Sequence, residues 1–478
     1  MKNFLSQSLV AIALLMFFGS CQEAEKEEKI PEIIITGQIL GLNEEEISVS
    51  LFDILKESST DEAGNFELRF EYPKAAYFEV APGRVGMDLF LSPGDSIHIE
   101  LDSDNFPESF KATGDRSREN NYLVRHKAMI SKEHQLNFNM SLFELEKEDY
   151  FDAIEKAENA LNQGLDSLKN TGEIHPLFAQ LERAYPTYRI AILNNMYPNF
   201  HMHIKGIEDE EDLDFPKEAK EEELMSLDNS NPDYLVLPFF RDVLNSQMYR
   251  AFSDEIPDEV YDGDAAKVIG AEIDMINSFF ENPQIAEYVT FDYIKTMISL
   301  SGPGPINQFY DRFLEELENS EFAEILRGEM ANWEDLQPGN SVPDFEFEDI
   351  NGNDIRLSHL NGRLIYIDVW ATWCGPCLRE HPYWEELVEE FEGEDVAFLA
   401  ISIDNSKDPW LKMVNDKGLS GHHWFAEDAW NSEFASHFLV NSIPRFILLD
   451  RDGKILEPSA ERPSGNIAST LRNYLESI

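Results

Sequence analysis

Cysteine and basic side chains are scarce in this sequence. Three cysteines in 478 residues exclude the disulfide-rich class of small secreted domains. Lys and Arg total 38 against 92 Asp and Glu, which gives a net charge of −54. Such a charge repels the phosphates of nucleic acids and anionic lipids, so the sequence predicts no nucleic-acid partner. At 42% hydrophobic residues, the chain is globular and long enough for several domains.

The first twenty residues have the organisation of an export signal. Lys2 precedes the apolar run "FLSQSLVAIALLMFF", and "GSC" supplies small residues for a peptidase. This arrangement resembles the lipobox of bacterial lipoproteins, which implies that Cys21 is lipidated and anchors the chain to a membrane. The alternative is a plain secretory signal in which Cys21 has no role. We expect a signal over 1–20, a charged tether over 21–30, and a periplasmic or outer-membrane lipoprotein of the cell envelope.

The rest of the sequence divides into three regions of different periodicity. Short alternating runs over 31–111 predict a small antiparallel β-sandwich. Helical stripes predict an α-helical region over 112–336. Alternating strand and helix patterns over 337–478 predict an α/β domain with a mixed, largely parallel sheet. In the helical region, prolines are predicted to separate many short helices: Pro186, Pro198, Pro216, Pro232, Pro283 and Pro303.

Two of the three cysteines stand three residues apart in "TWCGPC", after a predicted buried strand and at the start of a predicted helix. Cysteines at this spacing share a face of the first helical turn, so their sulfurs can join and separate with little backbone movement. The helix N-terminus favours a thiolate, which makes Cys374 the attacking sulfur and Cys377 the resolving one. Pro376 fits an early helical position, where its missing N–H is not needed.

Two other interpretations of the cysteine pair are weaker. A structural zinc site needs four nitrogen or sulfur ligands, so it would need two more than the cysteine pair. Cys21 is far away at the predicted anchor, and His422 and His423 lie side by side in a predicted loop. A disulfide that closes so small a loop would stabilise the fold little.

Elsewhere, His201 and His203 share one side of a predicted strand, but no further side chain suitable as a metal ligand lies nearby in the sequence. The sequence therefore predicts no metal and no cofactor beyond a redox-active disulfide.

The segment "IYIDVWATWCGPCLRE" and the later "NSIPRFILLDRDGKI" resemble a thioredoxin fold, and "VPDFEFEDINGNDIRLSHLNGR" resembles the TlpA/ResA-type thiol-disulfide oxidoreductases. The resemblance implies that Pro444 is a cis-proline facing the cysteines, beside the substrate. Gly375 and Pro376, with Ile443 before the cis-proline, match the reducing thioredoxins. The three-region layout resembles multidomain lipoproteins of the Bacteroidetes type.

Four further side chains near the motif carry expectations. Asp368 interrupts an apolar strand, and the resemblance implies that it exchanges a proton with the inner cysteine; the alternative is an aspartate satisfied by backbone N–H groups. The resemblance implies that Glu380 tunes the thiols, whereas the alternative is an ordinary solvated carboxylate. Trp373 is expected at the rim of the site and Trp370 in the core.

The leading hypothesis is a membrane-tethered thiol-disulfide oxidoreductase that reduces disulfides in exported proteins and receives electrons from a membrane donor. A second hypothesis is an envelope protein that binds a partner or glycan and uses the thioredoxin-like domain as a redox switch or scaffold. A third, a thiol peroxidase, is weaker because peroxidatic cysteines do not need a C-x-x-C pair.

Overall fold

The structure is a computed structural model. It describes residues 29–477 except 43–44, 84, 135–139, 208, 210–212, 258–264, 305 and 318. The predicted signal and Cys21 lie outside the described residues. The chain forms two compact units, one comprising residues up to Glu133 with Gln163–Ala179, and the other His134–Asn162 with Gln180–Ile478. Across the described part of the chain, no helix is both long and apolar enough to span a bilayer.

The first unit contains two four-stranded sheets, in the orders β4-β1-β7-β8 and β3-β2-β5-β6. The strands are β1 (Glu32–Leu40), β2 (Glu46–Ser50), β3 (Ile54–Ser59), β4 (Asn65–Glu71), β5 (Ala76–Pro82), β6 (Met87–Leu91), β7 (Ser96–Asp102) and β8 (Lys111–Gly114). Phe70 on β4 packs edge-on against Phe78 on β5 at 5.1 Å, so buried faces of the two sheets meet. This arrangement agrees with the predicted sandwich. The pairings are antiparallel as predicted, except that β1 and β7 pair in parallel.

The first unit continues beyond the strands into the following helix. Asn120 is fully buried, where its Oδ1 accepts from the N–H of Phe90 at 2.7 Å and its Nδ2 donates to the carbonyl of Phe90 at 3.0 Å. Asn121 makes the same pair of bonds with Ala112. These amides attach the helix to β6 and β8, which explains why the compact unit extends past residue 111.

Helices dominate the chain between the two sheet regions. They are α1 (Ser117–Asn121), α2 (Ala128–Glu133), α3 (Met140–Phe143), α4 (Lys147–Asn170), α5 (Pro176–Lys205), α6 (Lys217–Met225), α7 (Pro238–Glu255), α8 (Ala265–Phe279), α9 (Pro283–Ser301), α10 (Asn307–Glu316) and α11 (Ser320–Asn332). The prediction that each proline divides helices is wrong for Pro186 and Pro198, which lie inside α5. Both are buried, so packing offsets the lost backbone hydrogen bonds.

The two histidines predicted to share a strand also lie in α5. His201 is buried, and its Nδ1 lies 2.7 Å from the carbonyl oxygen of Phe143. The strand prediction for His201 and His203 is therefore wrong, because the helical period of the surrounding apolar residues continues through them.

The C-terminal region is built on a seven-stranded sheet in the order β10-β9-β13-β12-β11-β14-β15. Its elements are β9 (Glu346–Asp349), β10 (Asp354–Arg356), β11 (Leu364–Trp370), α12 (Gly375–Glu390), β12 (Val396–Ser402), α13 (Lys407–Lys417), β13 (His422–Phe425), α14 (Glu433–His437), β14 (Arg445–Leu449), β15 (Ile455–Glu457) and α15 (Ile467–Ser477). Every residue of β11, β12 and β14 is buried, as expected for interior strands.

Two predictions for this sheet need correction. It is mixed but not largely parallel: β12 pairs in parallel with β11 and β13, and the other neighbouring pairs are antiparallel. His422 and His423 belong to β13 rather than to a loop. This strand has four residues, and its two leading histidines hide the strand pattern in the sequence.

The helices and the C-terminal sheet are packed together within the second unit. The Trp333 side chain, 1% exposed, lies beneath the Arg445 guanidinium at 5.0 Å. Nη1 of Arg445 donates to the carbonyl of Leu300 at 2.7 Å. Gly302 is required nearby, because its φ is +75° and an added Cβ would lie 2.7 Å from the Trp333 ring. The redox region therefore shares packing with helices that precede it.

Candidate active site

The cysteine pair occupies the start of α12. Cys374 is the N-cap residue, and the pair is joined as a disulfide with Cα atoms 5.3 Å apart. The backbone N–H of Cys377 donates to Sγ of Cys374 at 3.1 Å. Gly375 and Pro376 form the first two helical positions, where a proline needs no hydrogen-bond acceptor. In the reduced protein, this N–H and the helix dipole would stabilise a thiolate on Cys374.

The two sulfurs differ slightly in exposure. Cys374 is 4% exposed and Cys377 is completely buried. Cys374 is therefore the more accessible of two largely buried sulfurs.

Pro444 lies at the same end of the sheet as the cysteines. The Ile443–Pro444 peptide bond is cis, as the resemblance implies. Pro444 immediately precedes β14, whose first residue, Arg445, is paired with Val369 near the end of β11. The cysteine motif follows the end of β11 by a few residues. The register of β11 and β14 therefore brings Pro444 and the cysteine motif to the same end of the sheet.

Asp368 lies inside β11 and is 3% exposed. Its Oδ1 has no hydrogen-bond partner among the described residues. The alternative of an aspartate satisfied by backbone N–H groups therefore does not account for this oxygen. Burial raises the pKa of Asp368 well above its usual range, and the negative charge of Glu380 raises it further. A carboxyl in this environment favours its protonated form and can donate or accept a proton.

Glu380, on α12, is 7% exposed and so is not a solvated surface carboxylate. Oε2 accepts from the backbone N–H of Ser464 at 3.0 Å, and Oε1 accepts from the Ser464 hydroxyl at 3.0 Å. Nη1 of Arg462 lies 3.8 Å from Oε1. These partners fix the position of the Glu380 side chain, which contributes to the raised pKa of Asp368.

The two tryptophans of the motif have different environments. Trp373 is 56% exposed and its ring lies 6.3 Å from that of Trp430, whereas Trp370 is completely buried. These positions agree with the expectations of a rim residue and a core residue. The ring of His381 packs edge-on against Trp370 at 4.8 Å, and burial lowers the pKa of His381 to about 4.

Sequence analysis missed Asp404, which fixes the loop before the cysteines. Asp404 is 3% exposed; its Oδ1 accepts from the Thr372 hydroxyl at 2.7 Å, and both carboxylate oxygens lie 3.1 Å from the Thr372 backbone nitrogen. The Ser402 hydroxyl donates to Oδ2 at 2.8 Å. A polar "SID" at the end of a buried strand was the only sequence signal, because Thr372 is distant along the chain.

Arg445 was also missed, although it directly follows the cis-proline. It is 3% exposed, and burial lowers its pKa to about 10. Nε and Nη2 donate to the carbonyl of Pro458 at 3.2 and 3.1 Å, while Nη1 reaches Leu300. Carbonyl oxygens thus solvate this guanidinium.

The described residues contain no group of three or more His, Cys, Asp or Glu side chains arranged to hold a metal ion.

Comparisons with known proteins find relatives of the C-terminal region. Residues 337–475 match the family model described as Redoxin. Thiol-disulfide oxidoreductase ResA of Bacillus thuringiensis (strain Al Hakam) is 31% identical over 133 residues, which cover 28% of this chain and 75% of that protein. ResA of Bacillus subtilis (strain 168) is 27% identical over 133 residues, which cover 28% of this chain and 73% of that protein. A crystal structure from Bacteroides vulgatus, of a protein described as a thiol-disulfide oxidoreductase, is 37% identical, covers 30% of this chain and 99% of its own, and has a TM-score of 0.28.

The matched region contains both cysteines, Asp368 and Pro444. Through this region the chain belongs to the ResA-type thiol-disulfide oxidoreductases of the redoxin family.

Proposed function

We propose that this enzyme reduces disulfide bonds of exported proteins at the cell envelope. The observation that carries the proposal is the asymmetric cysteine pair: Cys374 caps α12 and accepts the Cys377 N–H, while Cys377 is completely buried. Gly375, Pro376 and Ile443 support the reducing direction, because they match reducing thioredoxins.

In the proposed reaction, the Cys374 thiolate attacks one sulfur of the substrate disulfide. The bond between the substrate sulfurs breaks, the first substrate sulfur leaves as a thiolate and takes up a proton, and a mixed disulfide forms on Cys374. The Cys377 thiolate then attacks Sγ of Cys374 and releases the second substrate thiol. Two electrons and two protons have passed to the substrate, and the enzyme holds the Cys374–Cys377 disulfide. A dithiol donor at the membrane returns the enzyme to its reduced form.

Asp368 would take the proton of the Cys377 thiol during resolution. Its unpartnered oxygen and its raised pKa favour such an exchange, because a carboxyl held near its protonated form can accept and release a proton in turn. Glu380 would act on this step through its charge.

Lipidation of Cys21 would attach the chain to the membrane and place the redox region among exported proteins. Replacement of Cys21 by Ser is expected to abolish incorporation of labelled fatty acid and to release the protein from the membrane fraction. Retention of both label and membrane association would exclude this anchor.

The reduction potential of the Cys374–Cys377 pair tests the direction of electron flow. Full-length protein equilibrated in dithiothreitol and glutathione buffers should give a value near that of thioredoxin, about −270 mV, rather than that of DsbA, about −120 mV. A value close to DsbA would reverse the proposal and make the protein an oxidant. Failure to form the disulfide would favour the partner-binding hypothesis.

The order of the two attacks has its own test. Cys377→Ser should accumulate a mixed disulfide with a cysteine peptide supplied as a 2-mercaptoethanol disulfide, whereas Cys374→Ser should not. Trapping by Cys374→Ser alone would contradict the assignment of the nucleophile.

A further inference from the structure

A large cavity lies inside the second unit, where α8, α9 and the loop after α9 approach the C-terminal sheet. Its volume is about 1130 Å³, and Pro444 and Arg445 form part of its wall. The cavity therefore borders the segment that the sheet register places beside the cysteines. A volume of this size lies just above the usual range for small-molecule pockets, about 300–1,000 Å³, and is sufficient for a short stretch of polypeptide.

The opposite wall comes from the helices and is largely apolar. Val268 and Ile269 from α8, with Met297 and Leu300 from α9, line it. Leu300 is 40% exposed, which is unusual for a leucine on a helix packed against a sheet. Apolar side chains that stay accessible inside a cavity gain from contact with an apolar ligand.

Carboxylates outnumber guanidinium groups in the wall of this cavity by three to two. Glu272, Glu457 and Glu461 line it. Burial raises the pKa of Glu272, and burial together with the charge of Glu461 raises the pKa of Glu457, so a cation entering the cavity would stabilise ionised forms that burial disfavours. The hydroxyl groups of Tyr293 and Tyr474 donate to Glu272 and Glu457, respectively, and the Asn466 N–H donates to Glu461 at 3.0 Å. None of these contacts brings a positive charge to the carboxylates.

The two arginines in the cavity wall have other partners. Arg445 donates to the carbonyls of Pro458 and Leu300 and packs over Trp333. Arg462 lies 3.8 Å from Glu380. The cavity is thus complementary to a cation attached to an apolar chain.

We propose that the cavity lined by Glu272, Glu457 and Glu461, here called the acidic cavity, binds the substrate polypeptide beside its reactive disulfide and selects segments that combine apolar residues with Lys or Arg. The inference rests on the proposed reductase function and deepens it. The helical region then provides one wall of the substrate site, and the thioredoxin-like region provides the other wall and the sulfurs.

Paired peptides test this selectivity. Each peptide carries one cysteine, protected as a neutral 2-mercaptoethanol disulfide, with apolar residues around it. The two members of a pair differ at a single position, which is Lys in one and Glu in the other. Different pairs place this position at different distances before and after the cysteine. Second-order rate constants for reaction with reduced full-length protein are obtained by acid quenching and mass spectrometry. The best Lys peptide should react about tenfold faster than its Glu partner, which corresponds to one favourable ionic contact.

The net charge of −54 alone would attract a cationic peptide, so the variants must separate local from global charge. Glu272→Gln with Glu457→Gln should reduce the preference for Lys to about twofold or less. The control pair Glu392→Gln with Glu394→Gln removes the same two charges from exposed positions outside the cavity wall and should leave the preference intact. Equal effects of the two pairs would overturn the proposal.

A second pair of variants tests occupancy rather than charge. Gly304 lines the cavity, and a Cβ there would meet nothing within 4 Å, so Gly304→Trp should place its ring in the open space of the cavity. It should slow both peptides at least fivefold more than it slows the reaction with hydroxyethyl disulfide, which is too small to need the cavity. Gly328→Trp, equally open but outside the cavity wall, should change neither.

The outcomes distinguish the two levels of the argument. Failure to reduce hydroxyethyl disulfide and every peptide would contradict the reductase function itself. Reduction of all substrates with no difference between Lys and Glu peptides, and no effect of Gly304→Trp, would leave the reductase function standing and refute the acidic cavity as a substrate site.

Discussion

The buried carboxyl of Asp368 provides the sharpest physical test. The variant Asp368→Asn keeps the shape of the side chain but removes the ionisable group. The added amide donors carry a cost that does not depend on pH, on the order of 1–3 kcal/mol if they find no acceptor. The diagnostic quantity is therefore the change with pH in the difference between the free energies of unfolding of variant and wild type.

The sign follows from proton linkage. Native Asp368 keeps its proton at pH values where an unfolded aspartate, with an ordinary pKa of 3.8, has lost it. The proton on Asp368 therefore favours the folded wild type most below pH 3.8, and the free energy of unfolding falls as pH rises towards the native pKa. One proton gives a slope of about 1.4 kcal/mol per pH unit. Asp368→Asn has no such loss. Its free energy of unfolding relative to wild type should therefore rise at this slope above pH ~4 and stop rising at the native pKa of Asp368.

Urea denaturation of the oxidised full-length protein, followed by tryptophan fluorescence, measures this difference. Six of the seven tryptophans lie within 337–478, so the signal reports mainly on the region that contains Asp368. The control variant is Asp452→Asn, at an exposed turn, whose difference from wild type should not follow this pH slope. A flat pH dependence for Asp368→Asn would refute the argument that burial suppresses ionisation. The same variant should resolve the mixed disulfide at least one hundredfold more slowly if Asp368 acts as the base.

Two other predictions concern the carboxylates around the site. Glu380→Gln removes the charge that helps to raise the pKa of Asp368. When Asp368→Asn is compared with its parent in a Glu380→Gln background, the difference in free energy of unfolding should therefore stop rising at a lower pH. An unchanged pH would mean that burial alone sets the pKa. Asp404→Ala leaves the Thr372 N–H and hydroxyl without their acceptor and should lower the free energy of unfolding by about 2–4 kcal/mol, whereas Thr372→Val should cost only about 1 kcal/mol in the same assay.

Local sequence signals predicted the redox motif and its immediate setting. The apolar run of β11, the helix that starts at Cys374, and the lone charge at Asp368 are features of adjacent residues, so spacing and burial cost were sufficient to identify them. The cis bond before Pro444 was implied by the resemblance alone, because no rule of composition selects the isomer.

Features that depend on distant contacts were not predictable in this way. Asp404 and Thr372 meet only because β11 and β12 are neighbours, and the sequence gives no distance between them. The antiparallel pairing of β14 with β11 likewise depends on the path of the connecting chain. The prediction at Pro186 and Pro198 is wrong because a sequence shows the local cost of a proline in a helix but not the packing that offsets it.

The contact between Arg445 and the helices has a consequence for dissecting this protein. A fragment cut at residue 337 would retain both cysteines and the whole seven-stranded sheet, but it would lose the Leu300 carbonyl and the Trp333 ring. One guanidinium N–H would then face solvent beside the cis-proline, and the apolar wall against it would be gone. Measurements on such a fragment would describe a different rim of the site, so chimeras that exchange this enzyme's redox region should carry Trp333 and α9 with it.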